Sequence, residues 1–251
     1  MNRQVIDFCS SLPNREIIEI SGPDCESFLQ GLVTQDVKLL QKEPIIYSLL
    51  LSPQGKFQYD FFIINAGDSW LIDIDKTRAQ ALTQRLQLFK LRANINIFLN
   101  SAWHVGVSSA MTNAKYSFED PRLKNLGYRL YDQISLSSQT PVEIYENLRL
   151  SLGVPDGAQD MIVDKSIPLE WGMDELNAIS WDKGCYMGQE LTARSRYVGQ
   201  VRKRAFPIEF TQTGKFGIAL LRLEALDQPE VIVIDNQPVK VHKPSWMKLP
   251  Q

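Results

Sequence analysis

The chain has 251 residues, enough to bury a substantial core as one large or two smaller domains. Its 44% hydrophobic and 22% charged residues fit an ordinary water-soluble globular protein, and 27 basic against 29 acidic residues give a formal charge of −2, which excludes a globally basic nucleic-acid-binding surface. Cys9, Cys25 and Cys185 are odd in number and form no C-x-x-C pair, which argues against a disulfide framework and a self-contained zinc site. The reducing cytosol is therefore the expected compartment. Met1 to Asp7 has no apolar run and bears an early acid, unlike a signal or transit peptide, and no stretch approaches the ~18 apolar residues of a membrane span.

Glu16 to Ile20 alternates as a strand does, and Ser21-Gly22-Pro23-Asp24 starts a helix that presents Cys25, Phe28, Leu29 and Leu32 on one face. This spacing places Cys25 in the core. Pro44 to Ser52, Phe57 to Asn65 and Trp70 to Asp75 are β-rich runs joined by Pro53-Gln54-Gly55 and Ala66-Gly67-Asp68, and they predict an antiparallel meander. Asp75 caps a helix over Lys76 to Lys90, with Ala79, Leu82, Leu86 and Phe89 as its buried stripe.

Ile95 to Leu99 and Trp103 to Val107 flank Asn100-Ser101, which predicts a two-residue hairpin, and Gly127 to Tyr131 is a further strand. Thr140-Pro141-Val142-Glu143 has the form of a capping box, opening a helix that ends near Gly153. Val154 to Ile167 has no steady period and reads as a long loop. Beyond Gly199, Lys203 to Phe210, Phe216 to Leu223, Val231 to Asp235 and Pro238 to His242 predict four short strands of a small C-terminal module. No internal repeat or low-complexity segment is present. Strands and helices in this order give an α+β fold with segregated antiparallel sheets rather than a parallel one.

Between the long loop and the C-terminal strands lies the stretch with the most chemistry, Trp181-Asp182-Lys183-Gly184-Cys185-Tyr186-Met187-Gly188-Gln189-Glu190. Glycines on both sides of Cys185 suit neither helix nor strand, because each costs about 1 kcal/mol in a helix interior and packs nothing in a strand. The stretch is a loop that holds a thiol, and from Gly188 the pattern turns helical up to Gly199. Cys185 thus precedes a helix N-terminus, and Lys183, Arg194 and Arg196 add positive charge nearby, a setting that favours thiolate. Gln189 and Glu190 fall in the first helical turn, where they complement the dipole or hold the loop. Arg194, Arg196, Arg202, Lys203 and Arg204 form the dense basic run of the chain, suited to a solvated face, an anionic ligand tail, an acidic partner or RNA phosphate. Neither His104 nor His242 lies near another candidate in sequence, so a Cys-His pair has little support.

Lys183 to Glu190 matches the K-G-C-Y-x-G-Q-E signature of the YgfZ-type folate-binding proteins, relatives of the glycine-cleavage aminomethyltransferase, or T-protein. With all but one position fixed, the signature is far more specific than a glycine-rich turn. The resemblance extends back through Gly153 to Gly157 and Ile167 to Glu170, and forward through Glu190 to Arg194 and Val201 to Arg204; it looks closest to the branch containing the mitochondrial iron–sulfur assembly factor.

The resemblance implies a T-protein-like folate-binding domain over residues 1–200 and a short C-terminal β-barrel-like module over residues 201–251. It also implies a central cleft for tetrahydrofolate or a derivative, with Asp60 standing for one acid of the T-protein's pair. Ser151 occupies the position of that family's pterin-contacting glutamate, and Arg194 is a candidate for the glutamyl tail. Loss of two carboxylates relative to the T-protein disfavours aminomethyl transfer, which stays as the alternative function; an accessory role in tRNA modification is a further one. The leading implication is a factor for assembly or repair of iron–sulfur clusters. Cys185 would ligate a cluster transiently or act as a nucleophile, and an A-type carrier and client enzymes would be its partners. Direct nucleic-acid binding is not expected. The implied compartment is the cytoplasm, or the mitochondrial matrix in a eukaryote.

Overall fold

The computed structural model describes residues 7–197, 199, 201–227 and 232–248. In chain order the strands are β1 (Cys9–Ser11), β2 (Arg15–Ser21), β3 (Ile45–Leu51), β4 (Phe57–Asn65), β5 (Ser69–Asp75), β6 (Asn96–Leu99), β7 (His104–Ser108), β8 (Tyr116–Glu119), β9 (Tyr128–Asp132), β10 (Lys203–Phe210), β11 (Phe216–Arg222), β12 (Ile232–Ile234) and β13 (Gln237–Val241). The helices are α1 (Cys25–Gln30), α2 (Lys76–Lys90), α3 (Val142–Ser151), α4 (Gly157–Asp160) and α5 (Gln189–Tyr197).

They form three sheets, a five-stranded one ordered β3-β4-β5-β2-β6 and two four-stranded ones ordered β1-β7-β9-β8 and β11-β10-β13-β12. Among the described residues every strand pairing within them is antiparallel. The expected α+β class and the meander hold. The meander strands are apolar along their whole length because both faces of the five-stranded sheet are covered. On one face Ile18, Ile63 and Ile72 pack with Leu29, Leu82 and Leu86 of α1 and α2. On the other, Tyr47, Leu49 and Phe62 meet Val105, Val107 and Tyr131 of the second sheet. The Asp75 carboxylate caps α2 by accepting the Thr77 N–H at 2.9 Å. Cys25 is buried, and burial followed by Asp24's charge pushes its thiol above the usual range.

Two local expectations fail for tertiary reasons. Asn100-Ser101 closes no hairpin, since β6 pairs with β2 and β7 pairs with β1 and β9. The turn carries the chain from one sheet to the next, and the buried Trp103 ring fills the core between them. Thr140 does not cap α3: its hydroxyl bonds Ser10 Oγ at 2.8 Å and accepts the Cys9 N–H at 3.1 Å, while Pro141 takes the cap position without a side-chain bond. Docking of β1, too short to show a period, claims that hydroxyl.

The long loop is interrupted by α4, whose first N–H groups bond the Asp156 carboxylate at 2.9 and 3.3 Å. The third sheet lies on the end of α3: Trp246 Nε1 donates to Leu152 O at 2.8 Å, and Arg204 pairs with Glu175. Met1 to Ile6, expected to carry no leader, and Val231 lie outside the described residues.

Candidate functional site

The thiol loop is fixed from both flanks. Upstream, Asn177 O accepts from Gln35 Nε2 at 2.6 Å, Ala178 O from Thr34 Oγ1 at 2.6 Å, and Ser180 N–H donates to Thr34 O at 3.0 Å. Thr34 is held in turn to β3, accepting from Leu49 N at 2.9 Å, so the loop hangs from an edge of the five-stranded sheet. Lys183 completes the strap. Its buried Nζ donates to Val33 O at 2.7 Å and Gln35 O at 2.9 Å, and burial, opposed by Asp36, lowers it to about 8.

Tyr186 drives its ring into the main core, where burial pushes its hydroxyl up to about 12. Two residues on, Gly188 has φ +82°, and a Cβ there would lie 2.5 Å from Ser52 O and 3.0 Å from Gly55 Cα. That turn packs against the β3–β4 connection so closely that only glycine fits. Gly184 differs, since a Cβ there would meet nothing within 4 Å.

Between these anchors Cys185 is exposed, four residues ahead of α5. The sequence-expected neighbours separate: Lys183 spends its ammonium on backbone carbonyls, and Arg196 lies 4.1 Å over the Trp181 ring, which also meets Tyr197 edge-on at 6.2 Å. Gln189 and Glu190 fall in the first turn of α5, with Glu190 exposed. Arg194, Arg196, Arg202 and Lys203 are exposed, whereas Arg204 leaves the basic run and is buried against Glu175. Beside α5, a largely apolar hollow of about 250 Å³ is lined by Lys56, Pro168, Leu169, Leu191 and Ser195; Cys185 is not among its walls. Among the described residues no three His, Cys, Asp or Glu side chains gather as a metal site.

Asp60 lies elsewhere, buried in β4. Its Oδ2 accepts the Tyr47 hydroxyl at 2.9 Å and the Gly157 N–H at 3.1 Å, and a Cβ on Gly157 would sit 2.2 Å from Oδ1. Arg15, Arg122, Arg129 and Arg149 surround the same small cavity together with Asp156. Arg129 lies 3.8 Å over the Phe62 ring and bonds Asp73 at 2.5 Å; Arg15 also bonds Asp73, at 2.6 Å. Arg122 is forked on Asp120 at 3.0 and 2.8 Å, and Arg149 reaches Asp160 at 2.8 Å and Val154 O at 2.9 Å. Burial and then Asp156's charge raise the Asp60 carboxyl, while Arg15, Arg149 and Arg122 outweigh burial and hold Asp156 below the usual range. The two carboxyls are thus shifted in opposite directions, Asp60 upward and Asp156 downward.

The cavity left among these groups is about 20 Å³. Sites for drug-sized ligands occupy about 300–1,000 Å³, so guanidinium groups fill the space where a pterin would need an apolar slot, and the residues as they stand do not fit folate at Asp60. Nor does the structure assemble the expected cofactor set. Ser151 Oγ is turned back to Leu148 O at 2.8 Å, and Arg194 is exposed on α5; neither lines the cavity. The four arginines escaped sequence reading because they come from β2, β9, α3 and the turn after β8. Arg129, a charge between Tyr128 and Leu130 on a short strand, was the one readable hint.

Residues 185–249 match the family described as CAF17, C-terminal beta-barrel domain, a span that includes the thiol. An iron–sulfur cluster assembly factor IBA57 homolog, mitochondrial, from Pyricularia oryzae is 34% identical over 220 residues, covering 79% of this chain and 56% of the relative. In sequence the chain is thus similar to proteins named as IBA57 iron–sulfur cluster assembly factors. The protein of that name from Homo sapiens is 29% identical over 235 residues, covering 80% of this chain and 66% of its own length. This chain thus spans little more than half the length of the fungal relatives it matches. In structure it resembles the glycine cleavage system aminomethyltransferase T from Bartonella henselae, with a TM-score of 0.70 over 95% of this chain and 86% of that one at 11% identity, a likeness of fold alone. Relatives and fold are those that the Lys183 to Glu190 signature implies.

Proposed function

We propose that this chain serves iron–sulfur cluster assembly by presenting the Cys185 sulfur as a ligand to a cluster held jointly with a partner carrier. The observation behind this reading is the exposed Cys185 on a loop whose Lys183 and Tyr186 side chains are tied inward. One sulfur cannot hold a cluster, which takes about four protein ligands. Since no metal-binding group gathers among the described residues, the remaining ligands come from outside. A carrier of the A type, passing clusters on to client enzymes, is the partner that the family resemblance implies. The relatives are named as mitochondrial; for this chain the matching compartment is a reducing one, the matrix in a eukaryote or the cytosol in a bacterium.

The test mixes the chain with a cluster-loaded A-type carrier and follows visible absorption and complex size for wild type and Cys185→Ser. The reading expects a shifted spectrum and a stable complex with wild type only. Equal behaviour of both would remove the thiol from the account.

The T-protein-like fold favours one second reading, tetrahydrofolate-dependent aminomethyl transfer. That reading expects turnover with tetrahydrofolate and an aminomethyl donor, and its loss in Asp60→Asn.

A further inference from the structure

We infer that the cavity around Asp60 is not the folate site of this chain but a closed ion network in which Asp60 latches the Val154–Ile167 segment over the sheet. The first support is volume: about 20 Å³ remains among the side chains, room for a single water. The second is how that volume is filled. Arg122, Arg129 and Arg149 each hold a buried or half-buried carboxylate, so none can swing aside for a ligand without leaving opposite charges unpaired in the interior. The third is the close approach of the loop, where the Gly157 N–H bonds the Asp60 carboxylate and no side chain at 157 would fit between them. A ligand reaching Asp60 must break that bond.

The network joins elements far apart in sequence. Arg15 stands on β2, Arg129 on β9, Arg149 on α3, Asp156 at the start of α4 and Asp60 on β4. Each group has a partner of its own: Asp73 for Arg15 and Arg129, Asp160 for Arg149, the first N–H groups of α4 for Asp156, and Tyr47 and Gly157 for Asp60. A cluster so satisfied behaves as a fastening, whereas a ligand site keeps polar groups in want of a partner. The upward shift of the Asp60 carboxyl agrees with this role, because burial and the charge of Asp156 both favour its neutral form, which can still accept the Gly157 N–H.

The test uses the whole chain and 5-formyltetrahydrofolate as a stable reduced folate, with wild type, Asp60→Asn and Asp60→Ala. Hydrogen exchange reads the latch. Asn keeps an acceptor oxygen and should protect amides 154–167 as wild type does, whereas Ala should speed their exchange ~10-fold or more. Calorimetry reads the ligand. The inference expects either no saturable binding up to about 1 mM or binding of equal strength in wild type and Asp60→Asn, which would place the ligand elsewhere, such as the hollow beside α5. Saturable binding in wild type, weakened ~10-fold or more in an Asp60→Asn protein of unchanged melting temperature, would overturn it, as would slow exchange of 154–167 in Asp60→Ala.

Discussion

The loop at Cys185 and the cavity at Asp60 use similar materials to opposite ends. Both contain buried cations, a tyrosine set in the core and a glycine pressed against another chain segment. At Asp60 the cations face acids across a shared space, so attraction draws the side chains together and closes it. At Cys185 the cation faces two backbone carbonyls on a neighbouring segment, and its attraction pulls the flank inward while leaving the sulfur outside. Burying charge against charge makes a fastening; burying it against the backbone beneath a loop makes a pedestal.

The sharpest way to break this contrast is at the fastening. Asp73 neutralises both Arg15 and Arg129, and Asp73→Asn should cost about 3–5 kcal/mol in urea unfolding, because two buried guanidinium groups lose their counter-charge. Burial alone would raise the Asp73 carboxyl, but Arg129 and Arg15 hold it below the usual range. Its stabilisation is therefore complete above the ordinary carboxylate range and is lost as pH falls through the depressed folded value, a decline the variant should lack.

At the pedestal, Gly188→Ala forces a side chain into φ +82° and onto Ser52 O, and should cost about 1–3 kcal/mol, whereas Gly184→Ala should change stability by less than about 0.5 kcal/mol. Chemical denaturation of the pair separates the glycine the fold requires from the one it does not. Lys183→Met should cost a similar 1–3 kcal/mol, roughly, by stranding the Val33 and Gln35 carbonyls, and should raise hydrogen exchange across residues 180–186.

Asp60→Asn should have the smallest effect. Because the folded carboxyl is raised, the unfolded chain releases this proton first as pH climbs, and the wild type loses stability with rising pH over that interval. The variant should match wild type in mild acid and stand slightly above it at neutral pH in the same unfolding assay. A marked loss at neutral pH would mean that the ionised carboxylate is needed after all.

These outcomes also mark what could be read in the chain itself. The meander, α2 and the C-terminal strands were legible because their patterns are local: alternation, a cap at Asp75, turn residues between runs. The Asn100-Ser101 turn and the Thr140 box misled because each local signal competed with a distant partner, the core for Trp103 and β1 for Thr140. Within the site, the signature marked the thiol and the glycine that needs a positive φ. It could not say that Lys183 points inward to carbonyls on Val33 and Gln35, some 150 positions upstream. The Asp60 cavity was least legible, since its arginines come from four separate elements and no spacing links them.

The central claim, that the chemistry of this chain is carried by an outward-facing sulfur, is most directly tested by differential alkylation of the three cysteines followed by mass spectrometry, with and without cluster-loaded carrier. The account predicts that Cys185 in the free chain is labelled much faster than the buried Cys25 and becomes protected when the loaded carrier is present. Labelling of Cys185 as slow as that of Cys25, or equally fast with and without the carrier, would contradict it.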